Sequence, residues 1–129
     1  MEKSPAYIAE LRTTLLDLHK SLMDAQRVRY EKEHGRIQTP NEFLGLLLEH
    51  PTFAWLRSIS ALIAQLDEWI EQKAERSDAE LESIMNTLRS LIATDGPPTF
   101  SQAYWEIVND VPEVLVNHVK LWRQLQPRH

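Results

Sequence analysis

The chain has 129 residues, with 14 Lys+Arg against 19 Asp+Glu, a formal charge of −5, 43% hydrophobic and 26% charged residues, and no cysteine. A chain of this size suits one domain around one core, and its composition is that of a globular protein rather than a disordered one. The missing cysteines exclude disulfides, thiolate zinc sites, iron–sulfur clusters and cysteine nucleophiles, and the negative charge argues against a nucleic-acid partner, since phosphate binding needs a clustered positive field.

The N-terminus reads Met1-Glu2-Lys3-Ser4-Pro5, charged and without the apolar run of a signal peptide. No segment approaches the roughly 20 apolar residues that span a bilayer. A cytoplasmic protein without a membrane partner is expected.

The first helix is expected to start with Ser4 as N-cap and Pro5 at its first position, where a missing N–H costs nothing. Ile8, Leu11, Leu15, Leu18, Leu22 and Ala25 recur at steps of three and four, the seam of a helix packed lengthwise on a neighbour, and Gly35 ends it. Thr39-Pro40-Asn41-Glu42 has the capping-box spacing and predicts a short helix through about Glu49. Pro51 then imposes a fresh start or a sharp bend. The following helix has a stripe of Leu56, Ile59, Ile63, Leu66 and Ile70, with Trp55, Leu62 and Trp69 beside it. So wide an apolar arc predicts a helix near the centre of the fold.

Ser77-Asp78-Ala79-Glu80 repeats the capping box and opens a helix with a core face of Leu81, Ile84, Met85, Leu88, Leu91 and Ile92. Asp95-Gly96-Pro97-Pro98 is the strongest turn in the chain. Thr99-Phe100-Ser101-Gln102 is a further capping candidate, followed by Tyr104, Ile107, Val111, Val114, His118, Leu121 and Leu125 on one stripe. Pro112 interrupts that stripe and predicts a kink, or a restart capped by Asp110 and Glu113. The tail from Gln126 is expected to fray. No strand pattern occurs. The expectation is an all-α, up-and-down four-helix bundle over 1–129 with one additional short helix, because short links leave consecutive helices antiparallel.

Bundle cores hold metals when histidines and carboxylates project inward from facing helices. Of the five histidines, no two stand four apart on one helix, and the single Glu-x-x-His match, Glu31 to His34, falls in a charged last turn where a solvated helix end explains it. His118 sits in the seam of the last helix, His19 borders the seam of the first, and Asp67 lies between Ile63 and Ile70. Three polar groups on apolar surfaces of three helices suggest either a hydrogen-bonded cluster or a metal or proton-transfer site with His19, Asp67 and His118 as ligands of a divalent transition metal. Structural pairing is the favoured reading of the two.

The aromatic residues point mainly to packing, although Phe53-Ala54-Trp55-Leu56 and Ala103-Tyr104-Trp105 are candidates for exposed surface, and through it for a homodimer. Arg27, Arg29, Lys32 and Arg36 are interleaved with Glu31 and Glu33, which weakens any phosphate-tracking field. No nucleophile elbow, glycine-rich phosphate loop or dinucleotide fingerprint occurs.

Leu15-Leu16-Asp17-Leu18-His19-Lys20, Tyr30-Glu31 with Gly35, Phe53-Ala54-Trp55-Leu56, Ser60-Ala61-Leu62-Ile63, Leu66-Asp67-Glu68 and Pro112-Glu113-Val114-Leu115-Val116-Asn117-His118 resemble, in that order, a family of short bacterial all-helical proteins without an assigned activity. The resemblance implies a soluble helical protein and no chemistry. A regulatory or protein-interaction module, with a protein partner or a second copy, is therefore the expected function, no resident cofactor is expected, and the metal or proton-transfer bundle is the alternative.

Overall fold

A computed structural model describes residues 5–126, and with 87% of them helical and no strand among them the fold is all-α. Six helices follow one another: α1 (Pro5–His34), α2 (Pro40–Glu49), α3 (Arg57–Glu71), α4 (Asp78–Ile92), α5 (Pro98–Asp110) and α6 (Pro112–Leu125). Two 3₁₀ turns, Pro51–Leu56 and Lys73–Glu75, flank α3. The expected caps at Ser4 and the frayed end beyond Gln126 lie outside the described residues.

Helix α1 buries Ile8, Leu11, Leu15, Leu18 and Leu22 as its spacing predicts, and adds Tyr7, Thr14, Ser21 and Gln26 to the hidden face. It stops at Gly35, whose φ of +86° is the left-handed conformation that favours glycine; the Gly35 N–H donates to the Glu31 carbonyl at 2.9 Å. Thr39 caps α2 by accepting the Glu42 N–H at 3.1 Å, while the Glu42 carboxylate accepts from Gln38 N–H at 2.8 Å, one residue before the cap. Ser77 caps α4 through the Glu80 N–H at 3.3 Å, and all six apolar residues expected of that helix are buried.

The architecture departs from four rods in a square. The expected last helix is two: α5 ends at Asp110, Val111 is extended at φ −119° and ψ 106°, and α6 begins at Pro112. Proline is tolerated at that first position because no intrahelical donor is required there. Neither Asp110 nor Glu113 forms the expected cap; Asp110 instead pairs with Arg29 at 3.3 Å. Nor does Thr99 cap α5, which starts one residue earlier at Pro98, after Pro97. Here two consecutive prolines fix the backbone, and proline at the first position outcompetes a side-chain cap.

The central element is α1 rather than α3. It packs against α6, α3, α5 and the first 3₁₀ turn. Helix α3 hides Ile59, Leu62, Leu66 and Trp69 but turns Ser60, Ala61, Ala64 and Gln65 to solvent, so Ile63 and Ile70 are only half-buried. One apolar cluster joins α1, α3, α4, α5, α6 and the Phe53 and Leu56 side chains of the turn. Three indole N–H groups are satisfied across elements: Trp55 by the Gln26 side chain at 3.3 Å, Trp69 by the Ser77 carbonyl at 2.8 Å and Trp105 by the Ala93 carbonyl at 3.3 Å.

Candidate functional site

His19, Asp67 and His118 each acquire a different neighbour. Along the antiparallel α1–α3 contact, Arg12 grips Asp67 with Nε and Nη2, and seven residues further on His19 Nε2 lies 2.8 Å from Ser60 Oγ. Seven residues of helix separate those two pairs by about 10 Å. The Arg12–Asp67 pair is solvent-accessible, with side chains 41% and 39% exposed, and the bond to the carboxylate raises the guanidinium pKa. Asp67 therefore spends its negative charge on Arg12.

His19 is half-buried, and burial lowers its pKa below the ordinary histidine value. Ser60 Oγ also lies 3.4 Å from the Leu56 carbonyl. An imidazole N–H donating to Oγ, with the hydroxyl donating to that carbonyl, satisfies both side-chain donors and is an ordinary interhelical bridge. Acting as a nucleophile and base would require a group orienting the other ring nitrogen, and no hydrogen bond to His19 Nδ1 occurs among the described residues.

His118 faces inward from α6. Its Nδ1 stands 2.5 Å from the Tyr104 hydroxyl of α5, and its ring lies between Trp105, at 4.7 Å between centroids, and Trp122, at 6.4 Å. Burial pushes the Tyr104 phenol up and the His118 imidazole down, so near neutrality the phenol is the donor and Nδ1 the acceptor. The ring proton is accordingly on Nε2. This is a closed, neutral pair. Among the described residues no group of three His, Asp or Glu side chains is arranged to hold a metal ion.

A second cluster was hidden from the sequence because its members come from α1 and from the joint after α2. Tyr30 lies tilted against His34 at 4.5 Å and meets His50 edge-on at 5.3 Å; the two imidazoles are 5.9 Å apart, and Phe53 closes the group at 5.7 Å from Tyr30. His50 Nδ1 accepts the Thr52 N–H at 3.1 Å, capping the 3₁₀ turn. In a neutral ring that acceptor role places the proton on Nε2, leaving neither nitrogen as a lone-pair ligand. The two-histidine geometry is thus a packing and capping arrangement rather than a metal seat.

The expected aromatic surface is not exposed. Phe53 and Tyr104 are fully buried, Trp55 and Trp105 half-buried. The exposed large apolar residues are aliphatic: Leu44 and Leu48 on α2, Leu115, Val116 and Val119 on α6, and Val28 on α1. Helix α2 stands out. Among its ten residues are four leucines and a phenylalanine, yet none is buried; Leu44 is 53% and Leu48 64% exposed. Its inner side, Phe43, Leu46 and Leu47, rests half-buried on the core. Gly45 has nothing within 4 Å of where a side chain would begin, so no close approach inside the chain accounts for it.

A groove of about 570 Å³ runs between α1 and the α5–α6 break. Ala25, Val28 and Val111 line it together with four carboxylates, Asp24, Glu33, Asp110 and Glu113, against two cations, Arg29 and Lys32, so its charge is mixed with an acidic excess. No helix of the described residues is long and apolar enough to cross a membrane. Compared with models of protein families, with curated proteins and with solved structures, the chain matches none.

Proposed function

We propose that the chain is a protein-interaction module whose docking element is α2. The observation that supports this reading is the disproportion in that helix: its composition is that of a core helix, yet none of its residues is fully buried. An apolar helix face left in water is an unfavourable use of leucine unless something covers it. Leu44 and Leu48, one turn apart, are spaced as the anchors of a helix laid into a groove, and the bare backbone at Gly45 lets an opposing surface come close.

The occupant is a grooved protein partner rather than a second copy of the chain. Ten residues of helix are about 15 Å long, and one face of such a rod pressed on its twin buries far less than the roughly 800 Å² per partner of a stable interface. A groove that encloses the rod on three sides gains more area from the same residues. Glu49 and Glu42 flank the leucines and the chain is negative overall, so the groove is expected to have a basic rim.

Photo-crosslinking tests this in cells with a photoreactive residue at position 44 and, as control, at exposed Gln102. One protein captured specifically from position 44, which as purified material binds the wild type and loses about tenfold or more in affinity for Leu48→Glu, is the expected result. Capture of only a second copy of the chain, or nothing above the control, overturns it.

A further inference from the structure

The joint that holds α2 is built on an imidazole acting as an acceptor. His50 ends α2 by donating its own N–H to the Leu46 carbonyl at 2.9 Å, and it begins the 3₁₀ turn twice over, its carbonyl accepting the Phe53 N–H at 3.1 Å and its Nδ1 accepting the Thr52 N–H at 3.1 Å. The last of these bonds exists only while Nδ1 is unprotonated. A proton there sets donor against donor.

The surroundings do nothing to compensate. From α1, His34 brings a second titratable ring to 5.9 Å, and Tyr30 offers an uncharged edge contact. Glu33 is engaged with His34, 3.8 Å from its Nε2, and no carboxylate lies within ion-pair distance of His50 among the described residues. From α3, Arg57 holds the C-terminal end of α2, donating to the Leu48 carbonyl at 2.5 Å and the Leu47 carbonyl at 3.5 Å. The 3₁₀ turn contributes Thr52 and Phe53, neither charged. A proton on His50 therefore adds a positive charge at a joint that the Arg57 guanidinium already makes cationic. Imidazole is the side chain whose charge changes between about pH 5 and 8.

We propose that this joint is an acid-sensitive latch: protonation of His50 removes the cap of the 3₁₀ turn and frees α2 from the body of the protein. The latch regulates how α2 is presented, and as regulation of docking it rests on the reading of α2 as the docking element. The opening itself is a property of the isolated chain. With Nδ1 unprotonated the leucines are held on a preformed helix; with it protonated the hold on that helix is weakened.

Amide hydrogen exchange on the isolated full chain, corrected for intrinsic rate at each pH, tests the latch. Between about pH 7.5 and 5.5 the amides of residues 46–53 are expected to lose about tenfold in protection, the scale of a lost helix cap, while those of α4 do not. His50→Asn, whose side-chain oxygen still accepts the Thr52 N–H and does not titrate, retains protection at the lower pH, and His50→Ala exchanges fast at both. Equal loss in α4, no change in wild-type 46–53, or loss in His50→Asn matching the wild type overturns the latch. None of these readings involves a partner, so failure of the latch and failure of the docking reading are separate results.

Discussion

One half-buried imidazole, His19, and one buried imidazole, His118, contribute to the acid response of the fold. Burial lowers both His19 and His118 from a value near about 6.5 in the unfolded chain. Between the folded and unfolded values the unfolded chain binds more protons, so the stability these residues confer is complete above about pH 6.5 and falls as the pH drops from there through the folded values. Thermal melts are expected to show a declining Tm over that interval, and the double variant His19→Gln/His118→Gln a flatter one. Tyr104→Phe removes the donor from His118 Nδ1 and leaves a buried acceptor unpaired, which is expected to cost about 1–3 kcal/mol by urea unfolding. Asp67→Asn, at an accessible ion pair, is expected to cost no more than about 1 kcal/mol in the same measurement. The polar character of His19, Asp67 and His118 on apolar faces was legible from spacing within each helix. Their partners Ser60, Arg12 and Tyr104 were not, because which helix lies across from a residue is a property of the packed chain.

At the scale of elements, two glycines in similar company do opposite work. A side chain at Gly96 would meet the Leu91 carbonyl at 2.7 Å and that of Ser90 at 2.9 Å, backbone atoms that cannot swing away. Gly96→Ala is therefore expected to destabilise by more than about 1 kcal/mol. At Gly45, inside α2 and facing open space, alanine is expected to stabilise the isolated chain by about 0.5–1 kcal/mol, seen as a higher Tm. Helix α4 illustrates what periodicity reveals: its cap at Ser77 and its six core residues are local properties of fifteen residues. The starts of α5 and α6 show its limit. Asp110 has the chemistry of a cap, but Arg29, some eighty residues away in the chain, claims its carboxylate, and Pro98 and Pro112 set their helix starts without any side-chain cap.

For the molecule as a whole, stability and docking are carried by different leucines. Leu15 is fully buried in the central helix, and Leu15→Ala is expected to cost about 2–5 kcal/mol. Leu48→Glu is expected to stay within about 0.5 kcal/mol of the wild type in the same chemical denaturation, because that side chain is mostly in water already. An all-α fold followed from punctuation by proline and glycine and from the absence of strand patterns. The centrality of α1 and the exposure of the α2 leucines did not. Leucine content marks a helix as able to be buried, and only the arrangement of its neighbours decides whether it is.

The placement of His118 between two indoles also gives the protein a built-in optical gauge. A charged imidazole quenches a nearby indole more strongly than a neutral one, so light emitted by Trp105 and Trp122 dims as that ring gains its proton, whereas Trp55 and Trp69, bonded to Gln26 and to the Ser77 carbonyl, hold steady. Emission followed against acidity would therefore report the state of one interior ring without any label.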